Sequence, residues 1–232
     1  MTGLRPSALL TEAERGRRGE ETRRRIGGLH VLTDAREGRD ALTVTRAALG
    51  AGARVVQVRM KGATDQAFYE FAARVVELCA NHRATCIVDD RLDIAIAVGA
   101  DGTHLGATDL PVSVARTLAG PQHLIGGTAR TPATAQALVA QGADYLGVGP
   151  AYPTTTKTGL PPALGPAGVA AVASSVTVPV VAIGGITPAA VGALMAAGAV
   201  GVAVVTAVSD APDVASATRE LLAALAEAGR PR

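Results

Sequence analysis

The sequence predicts an α/β protein, a single (β/α)8 TIM barrel preceded by a short N-terminal extension. From residue 29 onward, short apolar runs rich in β-branched residues alternate with longer Ala- and Leu-rich stretches of helical period. Alternating strands and helices indicate a parallel sheet, and eight such units in a chain of 232 residues favour a closed barrel.

Each repeating unit consists of one strand and the helix that follows it. The predicted strands cover residues 29–33, 55–59, 85–88, 102–104, 123–125, 145–148, 180–183 and 201–204. The predicted helices cover residues 41–50, 65–82, 91–98, 111–118, 132–141, 166–174, 188–197 and 213–228. Two helix starts are well marked, because Thr131 and Thr187 each offer a capping hydroxyl directly before a proline.

Four connections from a helix to the next strand repeat a Gly-Ala turn. Glycine follows an apolar helix at Gly52, Gly99, Gly142 and Gly198, which is typical of a helix C-terminus. The intervals between them are too long and unequal for a solenoid. A doubly wound open sheet is the structural alternative, although no GxGxxG fingerprint follows the first strand.

The composition leaves aliphatic side chains to build the core, because 48% of residues are hydrophobic and only 2% are aromatic. Such a chain is not disordered, and it lacks the aromatic platform of a nucleic-acid-stacking protein. Residues 1–25 hold seven arginines and four glutamates, which gives this segment a charge of +3. The net charge of the whole chain is +2, so the remaining residues together carry −1. We therefore expect a basic, flexible or loosely helical extension at 1–25, a catalytic barrel at 26–232 and no nucleic-acid partner.

The sequence also bears on compartment and partners. No apolar run approaches the roughly 18 residues that a bilayer span needs, and no apolar segment of a secretory signal follows the arginines. Cys79 and Cys86 lack the spacing of a redox or metal motif, which predicts reduced, buried thiols. We expect a cytoplasmic protein with no membrane partner, and a homo-oligomer stays open.

Polar side chains follow the predicted strands, whose C-terminal ends meet at one mouth of a barrel. The second strand ends in QVRMK at 57–61, an alternation that points Gln57, Arg59 and Lys61 to one side. Three donors, two of them cationic, suit a phosphorylated anion. Solvated side chains at an ordinary strand end would produce the same pattern.

Acidic residues follow the next two strands. Asp89 and Asp90 come after the third strand, and Asp109 comes after the fourth. Each carboxylate taken alone is typical of a helix N-terminus. Together, and opposite the basic cluster, they indicate Mg²⁺, which proteins usually hold with one or two carboxylates plus substrate phosphate oxygens.

Three further loops complete the predicted mouth. The sixth strand leads into a Gly- and Pro-rich loop whose threonines and Lys157 suit a phosphate-binding lid, although a surface loop shares this composition. Gly185 follows the seventh strand and Thr206 the eighth, and these two positions form the recurrent phosphate site of the fold. A plain tight turn is the alternative reading of the glycine.

The site contains no evident general base or nucleophile. His30, His82, His104 and His123 lack metal-ligand spacing and are predicted to be core or lining residues. There is no Gly-x-Ser-x-Gly elbow and no P-loop. Anion binders and metal-type acids without a base fit a reaction that is driven by the departure of a leaving group.

The chain resembles the thiamine-phosphate synthase family from about residue 29 to 225. The resemblance lies in the order and spacing of QVRMK at 57–61, DRLD at 90–93, ADGTHLG at 100–106, DLP at 109–111, GADYLGVGP at 142–150, PTTTK at 153–157 and AIGGI at 182–186. It implies a transferase that joins 4-amino-5-hydroxymethyl-2-methylpyrimidine diphosphate to a thiazole phosphate, releases pyrophosphate and uses Mg²⁺.

The resemblance also implies site residues. Arg59, Lys61 and Lys157 are the catalytic residues, and Asp90 and Asp109 are the Mg²⁺ ligands. The substrate-binding residues are Gln57, Val58, Arg59, Met60, Lys61, Asp89, Thr128, Thr154, Thr155, Thr156, Lys157, Gly185, Val205 and Thr206.

The chain departs from the family pattern at four positions. Asp89 stands where asparagine is usual, and Arg130 stands where a histidine often follows. Thr128 and Thr206 replace serines and keep the hydroxyl. Because aspartate carries a negative charge that asparagine lacks, the role of Asp89 in pyrimidine recognition stays open.

Three rival functions remain at this stage. A thiazole tautomerase of the same barrel family would not need the basic cluster and both metal-type acids, and it would favour a histidine at position 130. An isomerase or lyase of tryptophan biosynthesis would need an acid–base pair at the mouth. A non-catalytic barrel that binds a phosphorylated ligand is the third.

Overall fold

The predicted barrel is confirmed by a computed structural model, which describes residues 12–36, 40–154, 156 and 159–230, with side chains from residue 16 onward. Eight parallel strands pair in chain order, and β8 pairs with β1 to close the sheet, which rules out the doubly wound alternative. The strands are β1 Gly28–Leu32, β2 Val55–Val58, β3 Thr85–Asp89, β4 Gly102–Leu105, β5 Leu124–Ala129, β6 Tyr145–Val148, β7 Val180–Ile183 and β8 Gly201–Val204.

Helices follow the strands and cover the outside of the barrel. They are α1 Glu12–Ile26, α2 Ala41–Gly50, α3 Asp65–His82, α4 Leu92–Ala97, α5 Val112–Ala119, α6 Pro132–Ala140, α7 Gly165–Ala173, α8 Pro188–Ala196, α9 Thr206–Ser209 and α10 Val214–Ala228. Thr131 caps α6 through the Thr134 amide at 3.2 Å. The strand β5 extends to Ala129, beyond the predicted end at residue 125, because Gly126 and Gly127 continue the strand.

The repeated Gly-Ala turn has a structural cause. In each copy the glycine has a positive φ, and the next amide bonds back to a carbonyl five residues earlier, as Ala143 does to Leu138 at 3.0 Å. In two copies an aspartate follows and accepts a hydrogen bond from the amide of the second residue of the neighbouring strand. Asp101 bonds Cys86 N at 2.8 Å, and Asp144 bonds Ile125 N at 2.9 Å. The turn therefore both ends a helix and sets the start of a strand.

The barrel interior is filled by inward side chains from all eight strands. One apolar cluster of this interior comprises Ile26, Leu32, Val55, Ile87, Leu124, Tyr145, Val181 and Ala203. Glycines make room for the largest members, since a Cβ at Gly126 would overlap the ring of Tyr145. A Cβ at Gly147 would lie 2.8 Å from Cε1 of His104. The interior is thus a packed core and not a pore.

Helix α1 forms the described part of the basic extension and is attached to the N-terminal end of the barrel. Arg18 binds the Asp144 carboxylate at 2.7 Å, and Arg25 binds Asp101 at 2.6 Å. Both acceptors are the aspartates of the repeated turn. Ile26, the last residue of α1, is fully buried in the interior cluster. Residues 1–11 lie outside the described residues, and the predicted boundary at residue 25 stays a prediction.

One further expectation concerns the two cysteines. Cys79 and Cys86 are both buried free thiols, as predicted. Within the part of the chain that the structure describes, no helix combines the length and apolar character that crossing a bilayer demands.

Substituting Gly126 by alanine tests the packing of the interior. We expect Gly126→Ala to lower the free energy of unfolding by about 3 kcal/mol, because the buried Tyr145 ring would have to move. Gly192→Ala is the control, since its Cβ in α8 would meet nothing within 4 Å and should stabilise the helix by up to about 1 kcal/mol. Urea unfolding measures both, and equal stabilities of the two variants would contradict the packing described here.

Candidate active site

The basic cluster lies at the C-terminal end of β2, as the alternation of QVRMK predicts. Gln57 is buried in the barrel interior, Arg59 is half-buried, and the side chain of Lys61 is 56% exposed. Val58 and Met60 belong instead to the outer apolar layer between the sheet and the helices. Any contact of these two residues with a ligand would therefore come from their backbone.

The backbone of Arg59 is fixed by the neighbouring strand. The Thr33 hydroxyl accepts a hydrogen bond from Arg59 N at 2.8 Å and donates one to Arg59 O at 3.0 Å. The guanidinium itself makes no hydrogen bond or ion pair with the residues that the structure describes. A rigid backbone and an uncommitted guanidinium suit a residue that meets an anion at the mouth.

The predicted metal ligands lie together, on the loops after β3 and β4. Asp90 has a φ of +66°, a left-handed conformation that costs an aspartate about 1 kcal/mol and recurs at functional sites. Its amide donates to His104 O at 2.8 Å, which ties the loop to β4. Asp109 accepts a hydrogen bond from Gly106 N at 2.6 Å. Lys61 Nζ forms an ion pair with Asp90, so the cations and the acids share one site.

The two carboxyl groups interact strongly enough to change their ionisation. Burial, and then a hydrogen bond with Asp90, raise the pKa of Asp109. Burial also opposes the ionisation of Asp90, but hydrogen bonds from Lys61 and Asp109 outweigh it and lower its pKa. The two carboxyl groups are thus close enough for each to change the pKa of the other.

Asp89 lies beneath this pair in a different environment. Its Oδ1 is the one fully buried side-chain polar atom without a hydrogen-bond partner among the described residues. Burial, followed by the charge of Asp90, raises the pKa of Asp89 well above its usual range. Arg59 and Lys61 offset this only in part. At a position where asparagine is usual, the chain thus has a buried carboxyl group with one unsatisfied oxygen.

The donor set fits Mg²⁺, although the described residues contain no cluster of three or more His, Cys, Asp or Glu side chains. Mg²⁺ commonly takes one or two carboxylates and completes its octahedron with phosphate oxygens and water. Asp90 and Asp109 provide two adjacent carboxyl groups beside two basic residues. This arrangement matches a cation that is shared with a phosphorylated substrate.

Hydroxyl groups gather on the opposite side of the mouth. Thr154 Oγ1 donates to Thr156 Oγ1 at 3.1 Å, and Thr156 Oγ1 lies 3.4 Å from Thr206 Oγ1. The loop after β6 and the loop after β8 therefore meet as predicted. Val205 is half-buried against the interior cluster. Thr155 and Lys157 lie outside the described residues, so their placement stays a prediction.

The loop after β6 rests on glycines that follow β7. A Cβ at Gly184 would lie 2.7 Å from Pro150 Cβ, and one at Gly185 would lie 2.9 Å from the Tyr152 carbonyl carbon. The loop after β6 therefore approaches positions 184 and 185 so closely that both need glycine. Contact of Gly185 with a phosphate remains a prediction.

Arg130 ties the two ends of the same loop together. Its guanidinium donates to Gly149 O at 2.7 Å and to Pro162 O at 2.8 Å. A histidine at this position could not reach both carbonyls with such a fork. The sequence marked Arg130 as a departure from the family but did not predict this contact.

The interior below the mouth holds a polar network that the sequence did not predict. His104 bonds the Thr128 hydroxyl through Nε2 at 3.0 Å and the Tyr145 hydroxyl through Nδ1 at 3.2 Å. Burial lowers the pKa of His104 to about 4, so the ring is neutral at physiological pH. The sequence signal that could have indicated this network is the pair Gly126 and Gly147, which leave room for the His104 ring.

These features define a class of protein: a (β/α)8-barrel enzyme whose C-terminal mouth brings basic, acidic and hydroxyl side chains together. More distant barrels share only the fold, such as a 3-hexulose-6-phosphate synthase structure at 20% identity and a TM-score of 0.62. The particular family follows from closer comparisons.

A family model described as thiamine monophosphate synthase matches residues 29–208. Thiamine-phosphate synthase of Salinispora tropica is 56% identical over 203 residues, covering 86% of this chain and 98% of the relative. The enzyme of Methanospirillum hungatei is 44% identical, covering 83% and 95%. A thiamine phosphate pyrophosphorylase structure from Pyrococcus furiosus has a TM-score of 0.82 at 37% identity, covering 89% and 99%. The chain belongs to the thiamine monophosphate synthase family.

Arg130→Met tests whether the guanidinium holds the loop after β6. The chain contains two lysines, Lys61 and Lys157, so endoproteinase Lys-C can cut it at two positions. Methionine keeps an unbranched apolar stem, adds no cleavage site and removes both hydrogen bonds. We expect cleavage after Lys157 to become about tenfold faster, while cleavage after Lys61 serves as the internal control. Unchanged cleavage at both sites would contradict the tether.

Proposed function

We propose that this protein condenses 4-amino-5-hydroxymethyl-2-methylpyrimidine diphosphate with a thiazole phosphate to give thiamine phosphate and pyrophosphate. The observation that carries the proposal is the pairing of Lys61 with the Asp90–Asp109 acids across the mouth from the Thr156–Thr206 hydroxyls. One side suits a diphosphate with its cation and the other suits a monophosphate. The names of the relatives support the synthase over a tautomerase or a non-catalytic barrel.

The reaction needs no general base, in keeping with the site. The bond between the methylene carbon and the diphosphate oxygen breaks, and its electron pair leaves with pyrophosphate. The electron-rich aminopyrimidine sustains the resulting cation at the methylene carbon. The thiazole nitrogen donates its lone pair to that carbon and becomes the thiazolium nitrogen, so no proton has to be removed.

Charge stabilisation at the leaving group is the main task of the chain. Arg59, Lys61 and Lys157 would bind the pyrophosphate oxygens as their negative charge grows. Asp90 and Asp109 would hold Mg²⁺, which when bound supplies further charge neutralisation of the diphosphate. Gln57 and Asp89 lie deeper and would contact the pyrimidine, with Thr128 above the His104 network.

The second substrate has to reach the cation before water does. Thr154, Thr155 and Thr156 would hold the thiazole phosphate, and Gly185, Val205 and Thr206 would complete that contact. A fixed phosphate places the ring nitrogen against the methylene carbon, which removes much of the entropic barrier. The loop after β6 would also exclude bulk water.

The cellular setting follows from the same proposal. Both substrates are small and highly charged, and buried free thiols at Cys79 and Cys86 suit a reducing compartment. We therefore place the enzyme in the cytoplasm, without a nucleic-acid or membrane partner. The homo-oligomer stays a prediction.

Pyrophosphate release from the two purified substrates tests the function directly. We expect stoichiometric pyrophosphate and thiamine phosphate in the presence of Mg²⁺, and a loss of at least 100-fold in rate with excess EDTA. Asp109→Asn should raise the Mg²⁺ concentration needed for half-maximal rate, because it removes a charged ligand. A folded protein that releases no pyrophosphate under these conditions would reject the proposal.

A pair of alanine variants tests the assignment of Lys157. We expect Lys157→Ala to lower kcat by about 100-fold or more, since a transition-state cation contact is lost. Asp93→Ala is the control, because its carboxylate is 66% exposed and is engaged by Arg91 at 2.6 Å. Near-wild-type turnover in both variants would contradict the predicted site.

A further inference from the structure

His30 is a buried histidine of the barrel interior that the proposed reaction does not use. It lies in β1, is fully inaccessible to solvent, and engages both ring nitrogens. Nε2 lies 2.6 Å from Ile26 O, and Nδ1 lies 2.9 Å from Gln57 Nε2. The ring therefore connects the end of helix α1 to a residue of the predicted substrate site.

The protonation of His30 follows from its partners. A backbone carbonyl only accepts hydrogen bonds, so His30 Nε2 must carry the hydrogen that points to Ile26 O. Burial, assisted by the nearby His104, lowers the pKa of His30 to about 4 against the opposing Ile26 hydrogen bond. A neutral ring with hydrogen on Nε2 leaves Nδ1 as an acceptor.

This tautomer determines the orientation of the Gln57 carboxamide. An acceptor at Nδ1 requires the NH₂ group of Gln57 to face it, because the reversed amide would oppose two lone pairs. The Gln57 oxygen, Oε1, therefore points away from His30. The Ile26 carbonyl therefore fixes the orientation of this amide.

Gln57 Oε1 is available to a ligand. No described group donates a hydrogen bond to this oxygen. If it were also fully buried, it would be a buried polar atom without a partner, but in the described part of the chain only Asp89 Oδ1 is such an atom. Gln57 Oε1 must therefore reach accessible space, although the residue as a whole is only 4% exposed. It is an acceptor at the floor of the mouth.

We propose that His30 is a positioning residue, which locks the Gln57 carboxamide with its oxygen toward the mouth and thereby selects an amino-substituted pyrimidine. The proposal rests on the proposed function, which gives Gln57 to the pyrimidine. An exocyclic amino group donates a hydrogen bond to Oε1. An oxo group at the same ring position is itself an acceptor and could form no hydrogen bond with Oε1.

Helix α1 takes part in this arrangement through one atom. Ile26 O is the acceptor that sets the tautomer, and the ion pairs of Arg18 and Arg25 hold the helix in place. The basic extension thus acts on the substrate site from the opposite end of the barrel, through His30.

His30→Phe tests the positioning role in steady-state kinetics. We expect the KM for the pyrimidine diphosphate to rise about tenfold, the effect of about one neutral hydrogen bond, with the KM for the thiazole phosphate unchanged. His82→Phe is the matched control, because His82 also bonds the carbonyl four residues earlier, at 2.9 Å, but at the end of α3. We expect it to leave both constants unchanged.

A double-mutant cycle distinguishes positioning from general stability. If His30 acts through Gln57, adding His30→Phe to Gln57→Leu should not raise the KM for the pyrimidine diphosphate further. A second tenfold rise on the Gln57→Leu background would show that His30 acts independently of Gln57 and would overturn the proposal.

The tautomer can be observed without any variant of His30. In the ¹⁵N spectrum of histidine-labelled wild-type protein near pH 7, His30 should show a protonated Nε2 and an unprotonated Nδ1. Replacing the other three histidines one at a time assigns the signal. Hydrogen on Nδ1, or an imidazolium ring at this pH, would overturn the proposal even if His30→Phe fails to fold.

The two proposals can fail separately. The expected tautomer together with an unchanged pyrimidine KM in Gln57→Leu would overturn the site assignment of the proposed function, and the selection of an amino group with it. The wrong tautomer together with a raised KM in Gln57→Leu would overturn the role of His30 alone.

Discussion

The space inside eight closed strands is the constraint on which the rest of this structure depends. A barrel of this size has room for side chains but for no further element, so each large inward residue needs a small one opposite. Tyr145 and His104 fit because Gly126 and Gly147 have no side chain. With the apolar cluster below, the interior places its polar residues in a layer just under the mouth.

The mouth brings opposite charges together at short range in a partly buried site. Arg59 and Lys61 follow β2, and the acids lie at the ends of the next two strands or on the loops after them, so adjacent strand order alone makes them neighbours. Burial first, and then the neighbouring Asp90, raise the pKa values of Asp89 and Asp109. The diphosphate and cation of the proposed function would bring one charge of each sign to this site.

The sequence predicted the fold because each level of it agreed: period, caps and turn glycines all indicated the same eight units. The alternation at 57–61 likewise predicted which side chains face the mouth. What it could not predict depends on contacts between distant segments. The fork of Arg130 spans 32 residues to Pro162, and the His104–Tyr145 pair requires knowing which glycines face it. The predicted fifth strand stopped at residue 125, before Gly126 and Gly127, because propensity carries no information about a neighbouring ring.

Helix α1 is attached at one end of the barrel, and the candidate active site lies at the other. The helix lies on the N-terminal face, through Asp101 and Asp144, while substrates would approach the opposite face. A fluorescent domain or an immobilising tag joined ahead of residue 12 would therefore leave the mouth unobstructed. The same geometry would let a partner enzyme be fused there so that both mouths stay open to a shared solution of metabolites.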